Sequence, residues 1–270
     1  MTAKNSPASP SKEVTVGNRV LILGAGYAGL RCAQAVSKYL TDPGAPEIML
    51  VDRNSYHQII TQLPETVSGR LSTDEVAVPY SELLERTPVR FLRAEVRNID
   101  LDHRQAVTSE GALTYTTLIV ALGSVTAYYG VPGLREHALT LKSVEDAEEI
   151  TRRVHRAMAA AAGEADSARR ARLLSFLIGG AGLTGVELAG ELAEVLPIMG
   201  RAHGIPATEP RVTLIEAAPS VLPSMPDRLQ GKAAAILAEL GVRLVLGTKV
   251  ILATQDGVDL ASGDRLVGST

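Results

Sequence analysis

The apolar positions of the chain fall into short continuous runs, amphipathic stretches and polar breaks. "NRVLIL" (residues 18–23) is a continuous apolar run ending in glycines, which predicts a parallel strand buried on both faces. "AGLRCAQAVSKYL" (residues 28–40) repeats at helical spacing until "TDPGAP" breaks it. "EIMLVD" (residues 47–52) predicts a second buried strand ending in a carboxylate, which completes a βαβ unit. "DEVAVPYSELLER" predicts a turn and a short helix. Residues 89–123 predict strands around a turn at Glu110 and Gly111, ending in a buried strand over 117–122. Residues 142–162 predict a long helix, and the charged "GEADSARRAR" (163–172) a surface linker.

The pattern then restarts. An apolar strand (173–178) runs into a glycine turn, a helix (184–199), a loop (200–210) and a strand ending at Glu216. A further helix over 227–241 and a strand over 242–247 follow, and "SGDRLVGST" resembles the start of another strand. Strands alternating with helices predict an α/β fold with parallel sheets, here as two doubly wound, Rossmann-like units. The expected divisions are a disordered tail over 1–16, a first domain over 17–136 and a second, inserted domain over 137–270.

Composition narrows the chemistry. Apolar residues make up 46 % and aromatics 3 %, so the core must be built from Leu, Val, Ile and Ala. A net charge of −3 gives no basic face for nucleic acid. With Cys32 the sole cysteine, no intrachain disulfide or thiolate metal cluster can form, and Cys32 reads as a small packing residue. No apolar run approaches the roughly 18 to 20 residues a membrane span needs, so the expectation is a soluble or peripheral cytoplasmic protein.

Both glycine turns are GxGxxG. In Gly24, Gly26 and Gly29 the first glycine allows a tight strand-to-helix turn, the second lets a pyrophosphate approach the backbone, and the third lets helix and strand pack closely. The intervening Tyr27 and Ala28 lie on the same turn, and Asp52 at the next strand end is placed for a ribose diol. Arg53 beside it has two readings, a contact to a phosphate or, the stronger of the two, a solvated charge. Gly180, Gly182 and Gly185, with Leu183, Thr184 and strand-end Glu216, repeat the device. No Arg or Lys follows Glu216 at 217–219, which favours NAD over NADP. Two such sites suggest an electron donor and an electron acceptor, a nicotinamide and a flavin. Glu187 has two readings: Thr184 and Glu187 form a capping box, or the carboxylate serves the nicotinamide. His57 reads as structural or solvated, and Glu148 and Glu149 as a polar helix face.

These residues resemble the two-dinucleotide-binding flavoproteins, the pyridine nucleotide–disulfide reductase fold. Within it the chain is most similar to type II NADH:quinone oxidoreductases. The resemblance runs from Arg19 to the end, on "VLILGAGYAGL", "VDRNSYH", "LIVALGS…GVPG", "GGAGLTGVELAGELAE" and "VTLIEAAPSVLP". It implies that the first glycine motif and Asp52 hold the ADP half of FAD, that Val96 meets the adenine through its backbone, and that Ala121 and Gly123 lie near the flavin or its diphosphate. It implies NADH on the second motif and Glu187 beside the nicotinamide and quinone. The implied function is hydride transfer from NADH to FAD and electrons onward to a quinone, with a homodimer and peripheral membrane contact as further expectations. Four departures stand out. Leu122 replaces the family's usual Thr, "QIITQLPETVSG" follows the pattern loosely, no cysteine pair is present, and the family continues beyond this length. The last suggests a fragment carrying only part of the flavin pocket. Alternatives are a flavin reductase with a soluble acceptor and a non-catalytic nucleotide-binding module.

Overall fold

The computed structural model describes residues 18–268. The tail expected over 1–16 lies outside them. The chain opens with β1 (Arg19–Leu23), α1 (Tyr27–Val36) and β2 (Glu47–Asp52), then β3 (Tyr56–Gln58), α2 (Leu63–Val67), α3 (Thr73–Val76), β4 (Ala77–Pro79) and α4 (Tyr80–Leu83). β5 (Arg90–Arg93), β6 (Val96–Asp100), β7 (Gln105–Thr108), β8 (Gly111–Thr114) and β9 (Thr117–Val120) follow. The second half runs α5 (Leu134–His137), α6 (Val144–Ala162), α7 (Ser167–Leu173), β10 (Ser175–Gly179), α8 (Leu183–Ala202), β11 (Arg211–Ile215), α9 (Asp227–Glu239), β12 (Arg243–Val245), β13 (Val250–Thr254), β14 (Gly257–Leu260) and β15 (Arg265–Val267).

β5, β2, β1 and β9 form one all-parallel sheet in that order. The chain moves outward from β1 to β2 and β5, then returns to the other side of β1 at β9. That reversal is the switch point at which open α/β sheets bind ligands. Successive residues of β1 point to opposite faces. Val20 and Ile22 pack with Leu30 and Ala33 of α1 and with Tyr80, while Leu21 and Leu23 pack with Met49, Val51, Ala106 and Tyr115. The antiparallel meander β6–β7–β8 therefore faces one side of the sheet and α1 the other. The second half repeats this plan: parallel β10, β11 and β12, with the antiparallel meander β13–β14–β15 packed on Ile215. Cys32 is half-buried against the first core, as expected of a packing residue.

Two compact units result. Among the described residues, one takes 18–57 and 78–124, and the other takes 58–77 and 125–268. This differs from the expected division at 136/137. The Ala253 amide donates to the Pro132 carbonyl at 2.9 Å, and Leu134 packs on the β13–β15 cluster, which ties residues 132–134 to the second unit. Arg70, just past α2, pairs with Glu191 and Glu194 of α8, which ties 58–77 there as well.

Two local expectations fail, and one element goes unpredicted, for identifiable reasons. The segment read as a linker contains α7, whose N-cap Asp166 accepts amide bonds from Ala168 and Arg169. The strand read as buried over 117–122 ends at Val120 and has, among the described residues, a partner strand on one side only, and Val120 and Leu122 are exposed. The hairpin β13–β14 was not anticipated, because its apolar pattern is short and irregular.

Candidate functional site

Each parallel sheet delivers its glycine turn to the carboxyl end of its first strand. In the first unit the Gly24 amide donates to the Val51 carbonyl at 2.8 Å, with φ +92°. A Cβ on Gly24 would lie 2.2 Å from the Ala121 oxygen, and one on Gly29 would lie 1.8 Å from the Gly24 oxygen. Gly24 and Gly29 are therefore required by the protein itself. A Cβ on Gly26 would meet nothing within 4 Å. Its absence keeps open space in front of the turn, the cradle a pyrophosphate needs. Gly26 is the N-cap of α1, with no side-chain cap and no acidic residue in the first turn. The helix N–H groups and the positive end of the dipole are left for an anion.

The second unit repeats this geometry. Gly180 has φ +98° and donates to the Ile215 carbonyl at 2.8 Å. A Cβ on Gly185 would lie 1.9 Å from the Gly180 oxygen, and one on Gly182 would meet nothing within 4 Å. Gly182 is the uncapped N-cap of α8, whose first turn also carries no acid. Tyr27 and Leu183, the first residues of the two helices, are both exposed beside these cradles. Ala28 and Thr184 follow them and are exposed too.

The strand-end acids have a role that motif reading missed. Asp52 accepts the Ala25 amide at 2.7 Å and the Asn54 amide at 2.9 Å. Glu216 accepts the Ala181 amide at 2.7 Å and the Ala218 amide at 2.9 Å. Each carboxylate thus braces the middle of its glycine turn through one oxygen and its own strand exit through the other. A carboxylate has about four acceptor sites, so capacity for a ribose diol remains. Arg53 is exposed, and its carbonyl accepts from Arg93 Nε at 3.2 Å. Val96 opens β6, two residues past Ala94, whose amide bonds the Asp52 carbonyl at 2.8 Å. The Ala121 amide donates to the Leu23 carbonyl at 2.7 Å, placing Ala121 against the turn, and Gly123 follows with φ +76°.

Glu187 does not form a capping box with Thr184. The N-cap is Gly182, so Thr184 and Glu187 lie inside the helix, and neither side chain caps it. Glu187 sits in a cluster of carboxylates instead. Partial burial of its carboxyl, then the charges of Glu65 on α2 and Glu191 on α8, push its pKa above the usual carboxylate range. Arg70 stands 3.2 Å from Glu191 and pairs with Glu194, leaving Glu187 outside that ion pair. Glu65 was not picked out from the sequence. Its proximity depends on α2 packing against α8, which no local pattern announces. Among the described residues no group of His, Cys, Asp and Glu is arranged to hold a metal, and no helix is long and apolar enough to cross a membrane.

The chain is similar to the type II NADH:quinone oxidoreductase of Staphylococcus aureus, 35 % identical over 241 residues, which are 88 % of this chain and 59 % of that protein. It thus spans about 59 % of the length of the curated relatives it matches. Its fold is similar to that of NDH2 from Plasmodium falciparum, solved in complex with NADH, with TM-score 0.82 and 19 % identity over 93 % of this chain and 53 % of that one. The sulfide:quinone oxidoreductase of Aquifex aeolicus shares the fold at TM-score 0.74 and 17 % identity, over 94 % of this chain and 57 % of that one. The family model for pyridine nucleotide-disulphide oxidoreductases matches residues 18–268, and with two braced glycine turns on parallel sheets the chain belongs to that family.

Proposed function

We propose that the chain supplies the FAD-contacting and NADH-contacting parts of a type II NADH:quinone oxidoreductase. The observation that carries this reading is the duplicated cradle: two open glycines, Gly26 and Gly182, at uncapped helix N-termini, each braced by a strand-end acid. Such a cradle fits a dinucleotide pyrophosphate by charge and by shape. The resemblance of the two motifs to the two-dinucleotide-binding flavoproteins favours FAD on the first and NADH on the second, and the 35 % identity to a type II NADH:quinone oxidoreductase agrees with NADH as a ligand.

In this reading Gly24, Gly26, Tyr27, Ala28 and Gly29 hold the FAD diphosphate, and Asp52 takes the adenosine ribose, with Arg53 and Val96 flanking it. Ala121 and Gly123 line the continuation of the site. Gly180, Gly182, Leu183, Thr184 and Gly185 hold the NADH diphosphate. The Glu216 carboxylate accepts its ribose hydroxyls and repels a 2′-phosphate, which favours NADH over NADPH. When bound, the flavin supplies a two-electron relay between the nicotinamide and the quinone. Quinone reduction consumes protons. Glu187, held protonated to higher pH than an ordinary carboxyl, is the side chain best suited to deliver one from its carboxyl group. A lipophilic acceptor further implies peripheral contact with a membrane surface, at its cytoplasmic side.

An absorption spectrum of the purified protein, taken before and after anaerobic NADH, tests this reading. A flavin spectrum that bleaches with NADH and recovers with quinone is the expected result. A flavin that NADH leaves oxidised would overturn the oxidoreductase reading.

A further inference from the structure

We propose that His57 and Tyr80 are positioning residues that aim the first glycine turn at its dinucleotide by holding one peptide plane, an inference that rests on reading that turn as the FAD diphosphate site. Ala25, the residue between the first two glycines, is fully buried. Its amide donates to Asp52 at 2.7 Å. Its carbonyl receives the Tyr80 hydroxyl at 2.7 Å and His57 Nδ1 at 3.3 Å. A carbonyl oxygen only accepts, so His57 must carry its hydrogen on Nδ1.

The Ala25 carbonyl and the Gly26 amide belong to one planar trans unit and point in opposite directions. Anchoring the carbonyl on His57 and Tyr80 points the Gly26 N–H away from them, and a Cβ on Gly26 would meet nothing within 4 Å. Without that anchor, the peptide can turn about the Gly26 φ, which the missing Cβ leaves permissive. The donors are themselves fixed. Tyr80 is 2 % exposed, its ring centroid lies 4.6 Å from that of Phe91 and 6.4 Å from that of His57, and Tyr27 makes a T-shaped pair with His57 at 4.8 Å between centroids. Burial first, then the nearby Asp52 and Tyr56, raises the Tyr80 pKa far above that of a free phenol, so the hydroxyl remains a donor at any working pH.

The second turn supplies an internal control. The Ala181 amide is held by Glu216 at 2.7 Å, as Ala25 is by Asp52. The Ala181 carbonyl, however, receives a backbone donor, the Leu222 N–H at 2.7 Å, from a residue at φ +50°. The same peptide is anchored in both turns, by side chains in the first and by main chain in the second. Substituting His57 or Tyr80 should therefore disturb one nucleotide and spare the other.

The test is equilibrium binding of FAD, of ADP and separately of NADH to flavin-free protein, for wild type, Tyr80→Phe, His57→Leu and His57→Asn. Each lost anchor bond should weaken FAD and ADP binding about fivefold, and the Tyr80→Phe/His57→Leu double variant by about 25-fold or more. NADH affinity should stay unchanged, and His57→Asn, which keeps a donor near the Nδ1 position, should return most of the loss. FAD and ADP affinities at the wild-type level in both Tyr80→Phe and His57→Leu would overturn the inference, as would an equal loss of NADH affinity. Should Tyr80→Phe not fold, the His57 pair decides on the same criteria. A wild-type protein that binds neither FAD nor ADP would overturn the reading of the turn itself, which is a different result from a variant that matches a binding wild type.

Discussion

Within one glycine motif, single residues answer to different physical demands. Gly24 is required by backbone strain at φ +92° and by the Ala121 oxygen, which an added Cβ would approach to 2.2 Å. Gly26 is required by nothing inside the protein. Gly24→Ala should therefore lower stability by about 3 kcal/mol or more, through overpacking and the left-handed conformation together. Gly26→Ala should stay within about 1 kcal/mol of wild type and lose FAD. Thermal melts paired with flavin content check both halves. Glu187 makes a second prediction. Its raised pKa means the folded state binds the proton more tightly than the unfolded chain, so stability falls as pH rises from the ordinary carboxylate value through the raised one. Glu187→Gln should match or exceed wild-type stability at neutral pH, and the difference should vanish at acid pH. If Glu187 delivers a proton, its quinone turnover should also drop by about tenfold or more, while flavin reduction by NADH persists. Stopped-flow reduction and steady-state turnover separate the two steps.

Elements are positioned by partners distant in sequence. Glu47 opens β2 and joins it to both sides: Arg19 Nε of β1 stands at 2.7 Å and Arg90 Nη1 of β5 at 2.5 Å. Burial raises the Glu47 pKa, but the two guanidiniums outweigh it and hold it below the usual value. A lowered carboxyl pKa contributes stability that is present above the unfolded value and lost as pH falls through the folded one. Glu47→Gln should narrow the gap between neutral and acid stability, which denaturant melts at the two pH values would read. The pairs are partly solvated, so added salt should weaken the effect. The capping box read from Thr184 and Glu187 fails on this scale. The helix starts at Leu183, because the glycine turn brings Gly182 to the N-cap, so Thr184 is the second helical residue rather than the capping one.

For the whole molecule, each unit combines a parallel sheet, a glycine-turn helix and an antiparallel meander. Binding to the folded form alone stabilises by mass action, about 2.7 kcal/mol at a hundredfold excess over Kd. FAD and NADH should each raise the melting temperature of wild type. Gly182→Ala should keep the response to FAD and lose the response to NADH, and calorimetry with each nucleotide in turn would check this.

Much of this was legible in the order of residues. Continuous apolar runs, glycines at fixed offsets and an acid at the next strand end are local patterns. Local patterns determined the α/β class, the duplication, both cradles and the family resemblance. The tertiary structure decided what depends on residues far apart in the chain. It attached residues 58–77 to the second unit, paired β9 with β1, and brought Glu65 beside Glu187. It also set His57 and Tyr80 on the Ala25 carbonyl, where the sequence marked His57 only as an isolated histidine and Tyr80 not at all. The physical reason is the same in each case. A hydrogen bond or a shared charge between distant segments leaves no periodicity in either one, and it exists only once the sheets have registered and the helices have packed.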